Sequence, residues 1–431
     1  MTEERYATRF SKRHLSITKV LTERAHYTAM NRSRASFLTG GAATLAATSL
    51  LPAVAGAAPV VRGVFANGDR ELVAFPQKRP LMVLSPRPPL LETPFSVFDT
   101  GVFTPNDAFF VRWHLSGIPT SIDTRTFRIA VKGTVDRHLF LSLDDLRHRF
   151  EPVEIAAVNQ CSGNSRGFFG PRVTGGEWQN GAMGNALWKG VRLKDVLAKA
   201  GVRAGAKQVQ FNGLETPVLP QTPDFKKSLD LEVATSPDVI LAYEMNGKPL
   251  PVINGFPVRL VVPGWFSTYW VKMLSEITVI DTVDDQFWMK VAYRVPAVNN
   301  GNVSPTDEGY ATVPISTMRV RSFVTNVASG ARLAAGEQSL RGIAFDGGSG
   351  IKAVEYSLDG GKTYIAATLE DDHGRYSFRR WNAKIALEAG KTYTITCRGT
   401  GNDGGVQSSD AFWNPGGYMR NSIESYEASV A

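Results

Sequence analysis

The pattern of apolar residues changes near residue 310, and this change constrains the fold of the 431-residue chain more than any other feature. After it, short alternating segments separated by turn residues follow one another, as in LRGIAFDGGSG, VEYSLDGGKTYIAATL and KTYTITCRGTGND. Strands spaced in this way over about 120 residues are typical of an antiparallel β-sandwich. The sequence therefore predicts an all-β, immunoglobulin-like domain at residues 311–431.

Before residue 310, strand and helix patterns are mixed. TFRIAVKG, PVEIAAVNQ and FPVRLVVPG are strand-like, and an Asn-Gly turn precedes the last of them. Ser142 and Asp145 have the spacing of a capping box, and VRLKDVLAKAG is an amphipathic helix closed by Gly201. PGWFSTYWVK is typical of a buried strand that ends in Lys272. Regular βαβ alternation is absent, so we expect an α+β domain at residues 59–310, with a Pro-rich arm at 59–105.

Residues 1–58 have the features of an export segment. MNRSRASFLTGGAATLAATSLLPAVAGAAP contains a short basic stretch, a mildly apolar stretch and small residues typical of a cleavage site. SRASFLT is similar to the twin-arginine export pattern, with Ala35 in place of the second arginine. We therefore expect a periplasmic protein with no membrane span after cleavage. The start codon (Met1 or Met30) and the export route stay open, and a surface amphipathic helix is the alternative.

The charge and the cysteines exclude several classes of function. The net charge is +8, but lysines and arginines are scattered, which argues against nucleic-acid binding. Neither cysteine belongs to a CxxC, CxxCH or zinc-binding pattern, so we expect no disulfide framework and no covalently attached haem. Cys397 follows Tyr393 and Ile395 on one face of a predicted strand, as a core residue does. Cys161 instead follows a strand in AVNQCSGNSRGFF, the polar setting that a reactive or metal-binding thiolate needs.

Several polar residues are weaker candidates for a site. On a strand, Arg112 and His114 of FFVRWHLSG would share a face. Arg166 follows Cys161 by five residues, and Arg420 lies in the aromatic and Gly-rich segment FWNPGGYMRN. Taken one at a time, such residues are more often surface or core features than parts of a site.

Taken together, these segments resemble the sulfite oxidase family of molybdenum enzymes, and the bacterial sulfite dehydrogenases in particular. The similarity runs from about residue 95 to 425, in family order, through FFVRWHLSG, AVNQCSGNSRGFF, GAMGNALWKGV, LAYEMNGKPLPVINGFPVRLVVPG, TYWVKMLSEITV and QFWMKVAYR. The resemblance implies a sulfite-oxidase-type molybdopterin domain followed by the immunoglobulin-like domain. It also implies molybdenum with one molybdopterin, and it makes Cys161 the protein ligand of the metal.

The resemblance also implies roles for individual residues. Arg112 and Arg166 would form an anion pocket beside His114, Tyr293 would lie over the metal centre, and Trp288 would wall the pocket. In the animal enzymes of this family, an arginine directly follows a Trp-Asn pair near the C-terminus. Here the corresponding Trp413 and Asn414 are followed by proline and glycine, so Arg420 is the candidate for the role of that arginine. The residues implied to hold the cofactor are Phe110, Val111, Arg112, His114, Cys161, Glu215, Asn254, Arg259, Trp270, Val271 and Lys272.

The implied activity is the oxidation of sulfite to sulfate, with electrons passed singly to a separate cytochrome c-type acceptor or haem subunit. Planar guanidinium groups suit a small oxyanion because they bind its oxygens bidentately. The resemblance also implies a homodimer formed through the C-terminal domain. Two alternatives stay open: an enzyme of the same fold that acts on another substrate such as a sulfoxide, and a non-catalytic exported β-sandwich binding protein.

Overall fold

Strands make up most of the regular structure, and helices are few and short. The computed structural model describes residues 61–63, 70–73 and 75–431, the first two segments by their backbone only. The predicted export segment, residues 1–58, lies outside the described residues. Within the described ranges, no helix has the length and apolar character needed to cross a membrane.

The strands before residue 300 form three five-stranded sheets and one strand of a small hairpin. In chain order they are β1 (Val61–Gly63), β2 (Arg70–Val73), β3 (Leu81–Pro86), β4 (Pro89–Glu92), β5 (Val111–Arg112), β6 (Ile129–Gly133), β7 (Leu139–Leu141), β8 (Pro152–Gln160), β9 (Met183–Arg192), β10 (Gln208–Gly213), β11 (Lys226–Asp230), β12 (Ile240–Met245), β13 (Lys248–Pro249), β14 (Arg259–Val261), β15 (Leu274–Ile280) and β16 (Arg294–Pro296).

The order of strands in these sheets shows which of them surround the Cys161 loop. The first sheet runs β1-β2-β3-β4-β5, and the second runs β11-β10-β15-β6-β7 with β15 and β6 parallel. The third runs β13-β12-β9-β8, with β14 also paired to β12. β8 is buried over its second half and ends at Gln160, so the third sheet delivers Cys161 directly from its core.

In the part of the chain that the structure describes, four α-helices and five 3-10 helices connect the strands. The α-helices are α1 (Leu143–Arg149), α2 (Leu193–Ala200), α3 (Leu231–Ala234) and α4 (Phe287–Lys290), and the 3-10 helices are Phe95–Asp99, Arg166–Phe168, Val252–Asn254, Ser267–Tyr269 and Asn299–Gly301. The capping box is confirmed, because Ser142 Oγ accepts from the Asp145 amide at 3.0 Å and the Asp145 carboxylate accepts from the Ser142 amide at 2.9 Å. Gly201 ends α2 with a left-handed φ of 73°, as predicted.

The strands after residue 310 build two sheets around a shared core, except for the first of them, which completes the small hairpin. They are β17 (Thr312–Pro314), which pairs with β16, and β18 (Arg321–Val324), β19 (Ala331–Leu333), β20 (Gly336–Phe345), β21 (Ile351–Ser357), β22 (Ile365–Ala366), β23 (Thr368–Leu369), β24 (Arg379–Leu387), β25 (Thr392–Gly401) and β26 (Ser425–Val430). The sheet orders are β18-β20-β24-β23 and β19-β26-β25-β21-β22. Trp381 of one sheet and Ile395 of the other belong to the same apolar cluster. This is the predicted packing of alternating strands into two layers.

The predicted core role of Cys397 is confirmed. The residue is 1% exposed on β25, and Ser322 Oγ donates to its sulfur at 3.3 Å. Burial raises the pKa of this thiol to about 12. Cys397 is therefore a neutral packing residue at physiological pH.

The prediction of a strand over PGWFSTYWVK is wrong. This segment contains the 3-10 helix Ser267–Tyr269 and bends on both sides of it, with positive φ at Gly264 (81°) and Met273 (49°). Most of its aromatic side chains are buried because the segment crosses the main core, where Tyr269 is 2% exposed and Trp270 is 1% exposed. That core also contains Phe323 and Phe378, so it joins residues from both sides of position 310.

Candidate active site

Two adjoining cavities meet at the Cys161 loop. The inner cavity is lined by Phe110, Val111, Arg112, His114, Asn159, Cys161, Ser162, Phe225, Ile253, Asn254, Arg259, Ser267, Thr268, Trp270, Lys272 and Tyr293. The outer cavity, about 190 Å³, is lined by Leu90, Arg112, Cys161, Ser162, Arg166, Thr174, Gly175, Gly176, Trp178, Tyr293, Pro415, Gly416 and Tyr418. Cys161 therefore lies at the junction, together with Arg112, Ser162 and Tyr293.

Backbone hydrogen bonds fix the position of Cys161. Its amide donates to the Ala182 carbonyl at 2.9 Å, and its carbonyl accepts from the Asn164 amide at 2.9 Å. Asn164 Oδ1 in turn accepts from the Ala182 amide at 3.0 Å. Because none of these bonds uses the sulfur, the thiol is held in place while it stays available to a ligand.

A hydrogen-bonded pair of neutral side chains lies beside Cys161. His114 Nε2 is 2.5 Å from the hydroxyl of Tyr293, and the His114 ring stacks on Phe225 with centroids 3.5 Å apart. Burial, with a further contribution from nearby Arg112 and Lys272, lowers the pKa of His114 well below its usual value. Burial raises the pKa of Tyr293 well above its usual range. The pair is therefore uncharged, with one hydrogen bond linking the imidazole to the phenol.

Glu215 supports His114 from behind. One of its carboxylate oxygens accepts from the backbone amides of His114 at 3.1 Å and Leu115 at 2.9 Å. Its other oxygen is 4.0 Å from His114 Nδ1, and both side chains are only 3% exposed. Glu215 thus fixes the segment that follows β5 and carries His114, and it lines neither cavity.

The inner cavity concentrates positive charge in a buried setting. Arg259 is 3% exposed, and its guanidinium donates to the carbonyls of Asn254 at 3.0 Å and Trp270 at 3.3 Å. Burial lowers the pKa of Arg259 to about 9 and that of Lys272 to about 7. Buried cations of this kind are costly unless an anion accompanies them. The cavity is therefore suited to a ligand with negative charge.

Polar atoms without partners mark the same cavity. Within the described part of the chain, seven of the buried side-chain atoms that lack a hydrogen-bond partner belong to its lining: Arg112 Nη1, His114 Nδ1, Asn159 Nδ2, Ser162 Oγ, Asn254 Oδ1, Arg259 Nε and Thr268 Oγ1. Buried polar groups are normally satisfied, so such a group of unpartnered atoms indicates a binding site for a polar ligand. Donors and acceptors around a lone thiol fit a pterin with a phosphate and a bound metal.

Most of the predicted site residues come together. Ten of them line the inner cavity: Phe110, Val111, Arg112, His114, Cys161, Asn254, Arg259, Trp270, Lys272 and Tyr293. Arg166 lines the outer cavity. Trp288 packs its ring against His114, with centroids 5.2 Å apart, and lines neither cavity. Val271 is buried in the main core and also lines neither.

Arg420 points away from both cavities. Its guanidinium pairs with Glu424 and lies over the Phe168 ring at 5.4 Å. The cause is a tight turn, in which the Asn414 side chain bonds the Tyr418 amide at 3.0 Å and the Tyr418 carbonyl at 2.9 Å. Met419 then adopts a left-handed φ of 63°. Tyr418 occupies the cavity wall where the sequence predicted a third arginine.

Sequence reasoning missed several lining residues. Asn159 and Ser162 flank Cys161 closely and could have been inferred from that proximity alone. Phe225, Thr268 and Tyr418 had no pattern to identify them, because each reaches the site only through the tertiary fold. Lys227 was also missed: it is completely buried behind Tyr293, its Nζ donates to the Trp288 carbonyl at 2.7 Å, and burial lowers its pKa to about 7.

Two family profiles match consecutive parts of the chain. The profile described as Oxidoreductase molybdopterin binding domain matches residues 115–288. The profile described as Mo-co oxidoreductase dimerisation domain matches residues 312–426. The first match includes Cys161, and the second includes the turn that carries Tyr418.

Individual proteins match over most of the chain. Sulfite oxidase of Gallus gallus is 35% identical over 388 residues, which cover 86% of this chain and 81% of that protein. Mitochondrial sulfite oxidase of Macaca fascicularis is 35% identical over 369 residues, which cover 81% of this chain and 66% of that protein. The chain thus spans just under two thirds of the macaque protein's length. Among solved structures, the sulfane dehydrogenase SoxCD from Paracoccus pantotrophus matches with a TM-score of 0.70 and 25% identity, over 80% of this chain and 85% of that one.

Proposed function

Because the chain belongs to the sulfite oxidase family of molybdopterin oxidoreductases, we propose that it oxidises sulfite to sulfate and passes the electrons to a separate cytochrome c-type acceptor. The observation that supports this most is the position of Cys161, between a cationic inner cavity with orphaned polar atoms and a small outer cavity that contains Arg112 and Arg166. The cationic and polar lining of the inner cavity suits the cofactor, and the outer cavity has room for a small oxyanion.

The inner cavity would hold molybdenum with one molybdopterin. Cys161 would bind the metal through its thiolate, a soft ligand of the kind such a site requires. Arg259 and Lys272 would face the anionic part of the cofactor, and the orphaned Asn254 and Thr268 oxygens would accept its donors. When bound, this group supplies oxygen-atom transfer and two-electron redox chemistry, while the protein supplies binding and electrostatics.

The reaction to be supported is balanced as sulfite plus water giving sulfate, two protons and two electrons. The electrons would reduce two one-electron acceptors in turn. Arg112 and Arg166 both line the outer cavity and would bind the oxyanion by charge-assisted hydrogen bonds. Cys161 forms part of the same wall, so the bound oxyanion would lie beside it.

The neutral pair next to Cys161 gives the released protons a first acceptor. Tyr293 lines both cavities, and its hydroxyl reaches His114 Nε2 at 2.5 Å. A proton can therefore pass from the outer cavity to the imidazole through one phenol. The low pKa of His114 keeps the ring neutral at rest and makes its protonated form short-lived, so the ring would pass the proton on rather than store it.

The substrate assignment is tested by anaerobic addition of sulfite, nitrate and methionine sulfoxide to molybdenum-loaded protein. We expect sulfite to reduce the oxidised metal centre, which changes its absorption spectrum. We expect nitrate and methionine sulfoxide to leave the dithionite-reduced centre unchanged. Reoxidation of the reduced centre by methionine sulfoxide, with no response to sulfite, would show instead that the enzyme is a sulfoxide reductase.

We also propose that the protein is a homodimer formed through residues 311–431. The match of residues 312–426 to a dimerisation domain supports this proposal. A closed dimer would use the same surface on both copies. Light scattering of the purified protein measures the oligomeric state directly.

For the N-terminal segment, we propose export to the periplasm followed by cleavage. The small-residue pattern around Ala55 and Ala57 leads us to expect a mature N-terminus between about Gly56 and Pro59. Intact-mass spectrometry of protein from a periplasmic extract measures this end. A periplasmic chain that still contains residues 30–55 would contradict cleavage, and a chain retained in the cytoplasm would contradict export.

A further inference from the structure

Tyr418 lies in the outer cavity wall between two groups that the proposed reaction uses. The Arg166 guanidinium lies over its ring, 5.1 Å from the centroid. The Tyr293 ring stacks against it, with centroids 5.3 Å apart and planes inclined by 22°. One aromatic ring therefore contacts both the substrate-facing arginine and the phenol that is bonded to His114.

The turn that carries Tyr418 is attached to the Cys161 loop. The Met419 amide donates to the Ser162 carbonyl at 2.9 Å, next to the thiol. Arg166 Nε donates to the Gly416 carbonyl at 3.1 Å, within the same turn. Together with the bonds from Asn414, these contacts prevent the ring from moving independently of Cys161. Residues after 310 thus complete the outer cavity, whose other lining residues come before residue 310.

Removing the ring would change three features of the outer cavity at once. Arg166 would keep its hydrogen bonds to the carbonyls of Gly416 and Gly176 but would lose the aromatic face that fixes the plane of its guanidinium. Tyr293 would lose its stacking partner on the side of the outer cavity. The wall itself would also recede, because Tyr418 is part of the lining.

We propose that Tyr418 is a specificity-determining positioning residue, whose ring holds Arg166 and Tyr293 at a spacing that fits a compact inorganic sulfur oxyanion and disfavours an S-alkylated one. This inference rests on the proposed oxidation of sulfite. Methanesulfinate is a suitable probe, because a methyl group replaces one oxygen of sulfite. Its oxidation to methanesulfonate would likewise consume water and release two protons and two electrons.

The test compares Tyr418→Leu with Tyr418→Phe in the molybdenum-loaded protein. For the leucine variant we expect the KM for sulfite and the calorimetric Kd for sulfate to rise about tenfold, with kcat changed far less. We also expect its preference for sulfite over methanesulfinate in kcat/KM to fall about tenfold. The phenylalanine variant keeps the ring and should stay within about twofold of wild type in every measurement.

Tyr364 provides a matched control. Its ring also lies beneath an arginine, Arg398 at 3.9 Å, but it lines neither cavity. Tyr364→Leu should therefore leave both the sulfite KM and the substrate preference unchanged. A similar rise in KM in this control would show that the effect of Tyr418→Leu is a general loss of stability, and it would overturn the proposal.

Two results separate this proposal from the function on which it rests. If wild type neither oxidises sulfite nor binds sulfate, the proposed function fails. If wild type oxidises sulfite but Tyr418→Leu matches it in KM and in preference, only the role of Tyr418 fails. Should the leucine variant not fold, Tyr418→Trp tests the same point, because a larger ring should strengthen discrimination against methanesulfinate. An unchanged preference in that variant overturns the proposal.

Discussion

Replacing Cys161 by serine is expected to reduce sulfite oxidation to background while the protein stays folded. A serine hydroxyl is similar in size to the thiol but is a poor ligand for a metal that requires soft donors. The loop keeps its shape because its hydrogen bonds, from Cys161 to Ala182 and from Asn164 to Cys161, use backbone atoms. Steady-state activity, metal content and a thermal melt of the same preparation check the three parts of this expectation.

Cys397→Ser is the matched control for this prediction. The thiol is 1% exposed, lies in the apolar core of the C-terminal sheets and accepts a hydrogen bond from the Ser322 hydroxyl. We expect a stability cost of about 1 to 3 kcal/mol for burying a further hydroxyl, with kcat and KM unchanged. Substantial turnover by Cys161→Ser, in protein that contains molybdenum, would show that Cys161 is not the metal ligand.

The sequence predicted best where local chemistry decides the structure. The helix cap at Ser142 and the helix end at Gly201 depend on neighbours within four residues, and both were predicted correctly. The sulfite-oxidase-type fold, mixed before residue 310 and made of strands after it, is confirmed by the match to SoxCD and by the dimerisation profile. Cys161 was singled out because polar neighbours are unusual for a structural thiol, and it does lie where the two cavities meet.

The predicted strand around Tyr269 is wrong because a segment can be buried without being a strand. The aromatic residues around Tyr269 suggested a strand because buried strands are rich in such residues. Here the same side chains are buried from a 3-10 helix, since positive φ at Gly264 and Met273 bends the chain on both sides. Apolar periodicity reports which residues are buried, and it does not report a turn at each end of the segment.

The outer cavity could not be assembled from the sequence for a different reason. Its wall joins Arg166 to Tyr418, which lies 252 residues later, and no local pattern specifies that contact. The cationic residues near the C-terminus gave one candidate, Arg420, which in fact pairs with the carboxylate of Glu424, four residues along the chain. Residue type alone favoured Arg420 as the cavity residue. The backbone turn instead brings Tyr418 to the cavity wall.

Replacing Arg166 and replacing Arg420 should have different effects on the KM for sulfite, which tests whether Arg420 lines the cavity. Replacing Arg166 by methionine removes a charge-assisted hydrogen bond to the substrate, which is worth about 1.5 to 3 kcal/mol. The KM for sulfite should therefore rise about tenfold to a hundredfold, with a smaller change in kcat. Methionine has a similar length, so it should preserve much of the packing against Tyr418. Steady-state kinetics with sulfite measure the effect, and calorimetry with sulfate measures binding without turnover.

Arg420→Met is expected to leave the sulfite KM within about twofold of wild type, because its guanidinium faces Glu424 instead of the cavity. Its effect should be on stability. Glu424 keeps a second partner, Arg321 at 3.1 Å, so the carboxylate is not left alone. We therefore expect a loss of about 1 to 3 kcal/mol in the free energy of unfolding, below the cost of a fully unpaired buried charge. A KM that rises in Arg420→Met as far as in Arg166→Met would place Arg420 in the substrate cavity and contradict the geometry of the turn at Asn414.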